Sequence, residues 1–496
     1  MATASGASYF LGFWRDILLA HFFGASAQTD AFATAFLVPD LIFNLLIAGA
    51  TGGVLMPAFL RAEKHSVQRA NRLFANFFFL ANAAVVTFSA LAFLAMPAVI
   101  GRIFVATDLA QRELIVSLAR ILLASTICFS LSGVLGSVLL ARERFLSWAI
   151  SPVFNNAGIL LGIFLFAERF GIHAAAWGSV LGAFLHFAVR LFDFRALGLS
   201  LRFSILKKWN HALRQDLQNV LRLAAPKTVG LLAFQLFLWG FNFLGYFLQE
   251  GAIAAFSFAR NLQSFAVSLF GIALATSIFP GLAASFAQEN ETEFSRKFER
   301  AAGQILFFTL PAAVGLFLLA DDLVQAIFTH GNFDANSAFM TTTVLRAMAV
   351  SVPAESLTHL LARGFLARGN TIVTMWGQII FFTVTFAAAF FTAHVFGIFS
   401  LGAAFAAGCL LQVIFLLFVF HRKFVRLDVG KFLAANVPTV GATIFMAALV
   451  RWCESLLAHQ GPVLRLTFGM GIGALIFFAV FFLLTLLWGR CNRFAK

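Results

Sequence analysis

Charge is what this 496-residue sequence has least of: 11% of its residues are Asp, Glu, Lys or Arg, 61% are hydrophobic, and the mean hydropathy is +0.91. Soluble chains of such length carry about a quarter charged residues, so water is excluded as the main solvent and a bilayer is implied. Cysteine is also scarce. Cys128, Cys409, Cys453 and Cys491 stand far apart, with no CxxC and no neighbouring His pair, which gives neither a disulfide framework nor a metal site. Each reads as small apolar filler. Tyrosine is nearly absent, 2 against 66 Phe, which leaves the 8 Trp to form an interfacial belt. Phosphate-loop, serine-hydrolase and zinc-peptidase patterns are missing, so nothing points to an enzyme, a cofactor or a metal. The first apolar stretch contains Arg15 and Asp16 and has neither a basic leader nor an A-x-A end, so it is expected to stay in the protein rather than be cleaved.

What the sequence has is a succession of apolar runs long enough to cross a hydrocarbon core of about 30 Å. They fall near 3–23, 31–57, 76–100, 116–141, 147–167, 174–192, 226–248, 252–283, 304–320, 337–361, 371–394, 397–420, 432–450 and 465–488, about fourteen in all. Lys and Arg test this count, because in a spanning protein they concentrate in every second loop. About 25 of the 35 basic residues follow the even-numbered spans, in clusters such as Arg61 to Arg72, Arg296 to Arg300 and Arg422 to Lys431. The net charge of +14 therefore orients helices and does not mark a nucleic-acid binder, and both termini are expected to be cytoplasmic.

Internal similarity organises the spans. Leu139-Leu140-Ala141-Arg142 returns as Leu360-Leu361-Ala362-Arg363, and Phe170-Gly171-Ile172 as Phe396-Gly397-Ile398; Pro57 has a counterpart in Pro280. A common offset of about 223 residues equals six helices, which predicts two parallel six-helix repeats and an unrepeated last pair. The fold class expected is all-α and polytopic. Its expected divisions are an N-lobe over 1–192, a cytoplasmic amphipathic linker over 193–222 carrying Lys207, Lys208 and Trp209, a C-lobe over 223–421, and a C-terminal helix pair over 422–496.

Ionisable groups within spans cost several kcal/mol unless they meet a partner or a cavity. They are Arg15, Asp16, Asp30, Asp40, Arg120, Lys227, Arg260, Arg346 and Glu355. Arg15 and Asp16 diverge by about 100° on a helix, so they are not expected to face one partner. Asp30 reads either as a helix cap or as an ion partner for Arg15. Arg260 lies beside Asn261 and near Gln263, a polar group that suits a water- or substrate-lined face. Two guanidiniums facing a central space would suit a pyrophosphate, since each can hold phosphate oxygens bidentately. Arg120, Arg346 and Glu355 read equally well as structural pairs, and His186 and His394 as packing residues.

Several segments resemble the MurJ (MviN) family of the MOP exporter superfamily. Ser8-Tyr9-Phe10-Leu11-Gly12-Phe13-Trp14-Arg15-Asp16, then Phe23-Gly24-Ala25, Thr29-Asp30-Ala31-Phe32 and Ala35-Phe36-Leu37-Val38-Pro39-Asp40-Leu41, are similar to its pattern S-R-x-L-G-x-x-R-D … F-G … D-A-F … A-F-x-x-P-[ND]-L. Phe270 to Pro280, Leu310 to Leu316 and His330-Gly331-Asn332-Phe333-Asp334 are similar as well. The resemblance implies fourteen spans in two six-helix lobes plus a pair. It further implies flipping of lipid II, the undecaprenyl-pyrophosphate-linked peptidoglycan precursor, across a bacterial inner membrane by alternating access of a cationic cavity. Arg15, Asp16 and Asp30 match the family's positions. This sequence departs from them at Tyr9 (arginine), Phe43-Asn44 (Arg-Arg), Ala48 (glutamate), Arg260-Asn261 (Asp-Arg) and Phe241 (an aspartate of a sodium site in some members).

The substrate-binding set expected is therefore Arg15, Asp16, Asp30, Asn44, Arg260 and Asn261, with Gly49, Gly52 and Gly53 letting the second span bend. No cofactor or metal is expected, though the membrane potential or a monovalent ion can drive the cycle. Partners are the lipid-linked glycan and membrane lipids, and the chain is read as a monomer. The competing readings are a cation-coupled exporter of amphipathic molecules, a non-transporting scaffold that has lost its site, and an enzyme acting on lipid-linked sugars, for which no loop carries an acid–base pair.

Overall fold

The computed structural model describes residues 2–51, 54–105, 107–197, 211–423 and 429–494. Lys207, Lys208 and Trp209 of the expected linker helix, and Gly52 and Gly53 of the expected hinge, lie outside the described residues, as does the side chain of Lys227. Among the described residues there is no strand. This is what lipid demands, because only intra-segment bonding satisfies a lone spanning chain's N–H and C=O groups.

In chain order the helices are α1 (Ala2–Phe23), α2 (Ala27–His65), α3 (Val67–Ile103), α4 (Leu109–Ala141), α5 (Phe145–Phe170), α6 (His173–Ala196), α7 (His211–Gly245) and α8 (Ala252–Ala287). There follow α9 (Glu291–Leu318), the short α10 (Ala320–Phe328), α11 (Ala335–Ala349), α12 (Ser351–Ala367), α13 (Ile372–Phe396), α14 (Phe399–Lys423), α15 (Val429–Leu456) and α16 (Pro462–Phe494). Among the described residues, twelve helices are long and apolar enough to cross a membrane. The other two predicted spans are also helical. α1 has 22 residues, with its apolarity diluted by Arg15 and Asp16. The predicted 337–361 span is divided at Val350 into α11 and α12, of 15 and 17 residues, each alone shorter than a crossing. Trp148, Trp177, Trp376 and Trp452 are exposed near helix ends, as a belt requires.

The chain divides into two compact units, residues 1–254 and 255–496. In the first, α5 and α6 pack along each other, α4 lies against α3 and α6, α1 against α5, and α7 along α2 and α3. The α5–α6 contact rests on two facing GxxxG steps, Gly158/Gly162 and Gly178/Gly182. A Cβ on Gly158 would stand 2.3 Å from Gly182 Cα, and one on Gly162 2.4 Å from Gly178 Cα. Only glycine lets the backbones approach so closely, and that dispersion contact replaces the hydrophobic drive that lipid does not supply. In the second unit α13 pairs with α14, which also receives α11 and α12, while α9 bridges α12 and α15. The last pair, α15 and α16, closes over Leu319 through Ala442, Met446, Val450 and Phe477.

Two irregularities recur near the repeat offset. α2 widens into a π-turn at Asn44–Ala48, and α8 does so at Val267–Ile272. Gly171 and Gly397 terminate α5 and α13 with φ of +55° and +54°, the left-handed geometry that favours glycine.

Candidate functional site

In the first unit, Arg15 folds back along α1 onto its own neighbour. Its Nε and Nη2 donate to Asp16 Oδ1 at 3.0 and 2.8 Å, and Nη1 reaches Asn156 Oδ1 of α5 at 3.5 Å. The expectation that Arg15 and Asp16 do not face one partner left out a bond between the two themselves. The backbone positions diverge, but the guanidinium sits on a stem long enough to bridge the difference. Asn156 Nδ2 donates in turn to Ser8 O and Oγ at 3.0 and 3.2 Å, so the pair is braced from α5. Asp16 is buried, whereas the Arg15 side chain keeps 29% of its surface exposed.

Asp30 does not pair with Arg15. Its carboxylate accepts the N–H of Gly251 at 2.8 Å and of Ala254 at 2.7 Å, which places it at the start of α8, where orphan amides and the helix dipole favour an anion. It is a cap, but for a helix more than two hundred residues away in sequence, and not for its own. Nearby, Thr34 Oγ1 donates to Asn242 Oδ1 at 3.2 Å and lies 2.9 Å from the Tyr246 hydroxyl. Asn44 Nδ2, on the π-turn, donates to Gln235 Oε1 at 3.2 Å, and Gln235 Nε2 donates to Leu37 O at 3.1 Å. α2 is thus stitched to α7 by neutral polar contacts where the family pattern has two arginines. Gly49 follows the π-turn and touches α7, its missing Cβ falling 2.0 Å from Thr228 Oγ1. Asp40, also on α2, is exposed and its carboxylate has no partner among the described residues.

In the second unit, Arg260 of α8 meets Glu355 of α12, with Nη2 donating to Oε1 at 2.6 Å and Nη1 to Oε2 at 3.0 Å. Nη1 also bonds Gln263, whose Nε2 donates to Glu355 Oε2 and Ser351 Oγ, each at 3.0 Å. Phe405 of α14 faces the guanidinium at 4.7 Å. The Arg260 side chain is 30% exposed and that of Glu355 15%. Asn261, the next residue, lies on an exposed face of α8. Sequence reasoning weighed Glu355 as a structural pair and did not connect it to Arg260. Their separation of 95 residues, with a whole span between theirs, hides the link, although two opposite charges within spans are a usable signal.

Two further in-span charges, Arg120 and Arg346, make structural contacts. Arg120 lies over the Phe93 ring at 4.6 Å and donates to Phe93 O, while Arg346 pairs with Asp321 at 2.6 Å. His186 is buried against Ser132 at 2.8 Å. A cavity of about 630 Å³ lies in the second unit along α9, α15 and α16. It runs from Arg296 and Arg300 to a wall of Phe307, Phe432 and Phe481.

The family model described as lipid II flippase MurJ matches residues 19–470. The chain belongs to the MurJ family. A probable lipid II flippase MurJ from Rhizobium tropici is 26% identical over 97% of this chain and 92% of its own length. The lipid II flippase MurJ of Burkholderia cenocepacia is 25% identical over 89% and 86%. Among solved structures, a lipid II flippase MurJ in an inward closed conformation superposes with a TM-score of 0.82 at 19% identity over 97% of both chains. An inward-facing MATE family transporter of the MOP superfamily gives 0.72 at 15% identity over 84% of this chain and 94% of its own. These likenesses share the fold.

Proposed function

We propose that this chain translocates lipid II across a bacterial cytoplasmic membrane by alternating access, working as a monomer with both termini in the cytoplasm. The observation that supports the reading is that an in-span guanidinium in each unit, Arg15 in the first and Arg260 in the second, is bonded to a carboxylate and still about 30% exposed. Carboxylate pairing makes a cation tolerable in the membrane. An incoming pyrophosphate, with more charge and the same bidentate geometry, exchanges for the internal carboxylate; after release the carboxylate returns. The cavity along α9, α15 and α16 suits a polyprenyl tail, because its phenylalanine wall continues from a basic end. Asp40, an unpartnered carboxylate on α2, is the group best placed to couple the cycle to a monovalent cation or the membrane potential. The test is replacement of the resident flippase in depleted cells. Growth with the wild-type chain and loss of growth with Arg15→Ala and Arg260→Ala, at equal membrane levels, is the expected result. Failure of the folded wild-type chain to sustain growth refutes the assignment to lipid II.

A further inference from the structure

The first unit has a second charged feature that shares no residue with the Arg15, Asp30 or Asn44 groups. A cavity of about 620 Å³, within the size range of small-molecule sites, opens where the end of α2, the start of α3 and the first turns of α7 converge. Arg61 and His65 enter from α2, Arg69 from α3, and Asp216, Asn219 and Arg222 from α7. Three guanidiniums thus meet one carboxylate, and that carboxylate is already used. Arg69 Nε and Nη2 donate to Asp216 Oδ2 and Oδ1, each at 2.8 Å, in a fork that fixes Arg69 and leaves its Nη1 hydrogens without a partner among the described residues. Arg61 spends only Nε, on Pro57 O at 3.3 Å, and Arg222 makes no bond among the described residues. The start of α3 is itself held by Ser66 Oγ, which accepts the Arg69 N–H at 3.1 Å, so Arg69 stands on a capped helix end.

We infer that this cavity binds the phosphate of an anionic ligand, either the head group of an acidic phospholipid or a soluble phosphate ester. Arg61, Arg222 and Nη1 of Arg69 present uncommitted planar donors suited to a phosphate's several oxygens, and Asn219 adds a neutral one. Asp216 does not repel the ligand, because its charge is consumed by the Arg69 fork. Leu73 and Leu223 on the cavity wall accommodate the carbon attached to the phosphate.

The full chain in phosphatidylcholine nanodiscs, alone or with phosphatidylglycerol added, tests the lipid source through its thermal midpoint. Inorganic pyrophosphate titrated into the phosphatidylcholine sample tests the soluble source. Arg61→Ala/Arg222→Ala removes the two guanidiniums that have no carboxylate partner, so its midpoint in phosphatidylcholine alone should match wild type. Arg61→Lys/Arg222→Lys keeps the charge if that variant is poorly folded. A midpoint rise in wild type, with apparent affinity at least tenfold weaker in the alanine variant and partly restored in the lysine one, is expected. A response to phosphatidylglycerol alone assigns the site to lipid, and a response to pyrophosphate alone assigns it to a soluble ester. No response in wild type, an equal response in the alanine variant, or a response lost in Arg15→Ala and kept in the alanine variant overturns the proposal.

Discussion

Glu355→Gln takes the charge from opposite Arg260 while keeping the side chain's size. The wild-type carboxylate accepts from Arg260 Nη2 at 2.6 Å, Arg260 Nη1 at 3.0 Å and Gln263 Nε2 at 3.0 Å. An amide keeps one of the two oxygens and turns hydrogens towards donors in place of the other. Breaking a fully buried ion pair costs about 3–5 kcal/mol. Arg260 is 30% exposed and retains the Phe405 ring at 4.7 Å, so the loss here should be about 2 kcal/mol, seen as a lower thermal midpoint. For an anionic substrate the sign reverses. The guanidinium no longer has to leave a carboxylate before it can bind pyrophosphate, and a relief of about 1.4 kcal/mol would tighten binding about tenfold. Tight binding with no carboxylate to displace the product slows release, so flipping in proteoliposomes should fall while affinity for the lipid-linked pyrophosphate rises. If folded Glu355→Gln protein binds that ligand equally or more weakly, the exchange of carboxylate for pyrophosphate at Arg260 is refuted.

Three further outcomes follow from other contacts. Gly182→Ala sets a Cβ 2.2 Å from Asn155 O, a backbone atom that cannot rotate away, and should cost about 3 kcal/mol. Gly230→Ala, with nothing within 4 Å, should be neutral or slightly stabilising, and equal midpoints for the two would dismiss the close-approach account. Asp30→Ala removes both caps at the start of α8 and should cost about 2 kcal/mol, with faster hydrogen exchange at Gly251 and Ala254; unchanged exchange there would mean that Asp30 is not the cap. Burial pushes the Asp322 carboxyl up, and Arg465 at 2.7 Å opposes that rise. Removing Arg465 leaves a buried acid whose folded-state pKa lies above its unfolded one, so ionisation works against the fold. Arg465→Ala should therefore be destabilised near neutral pH and recover stability as pH falls below the folded pKa, and a loss that does not vary with pH would count against this origin.

The spans were legible because their signal is additive. Twenty apolar residues in a row and basic residues in alternate loops do not depend on which helix lies beside which. Partners were not legible for the opposite reason. Asp30 was weighed as a cap for its own helix or a mate for Arg15, and both readings look only at residues close in sequence or on adjoining spans. Its donors, Gly251 and Ala254, are backbone amides that no side-chain pattern announces. Arg15 and Asp16 were separated by helix geometry at Cα, yet their bond forms several atoms further out. The facing glycines of α5 and α6 were readable as GxxxG steps but were overlooked, since an apolar run was scored for its length and not for where its smallest residues fall.

The repeat offset explains more than similarity of sequence. Asn44–Ala48 and Val267–Ile272 begin 223 residues apart and share almost no residue identity, yet both are π-turns, each upstream of the proline that prompted the offset, Pro57 or Pro280. Proline clashes with the carbonyl one turn before it, but these widened turns lie more than two turns earlier, beyond that reach. They are therefore a feature of the repeated backbone and not a local consequence of either proline. A π-turn leaves a helix one residue out of step, and at such a point a small change in twist alters the direction of everything that follows. On α2 the displaced stretch is Asn44, tied to Gln235, and Gly49, set against Thr228. On α8 it follows Arg260 and Gln263 by one to two turns. Bending at either turn therefore acts on a helix that already carries a polar contact of the proposed pathway.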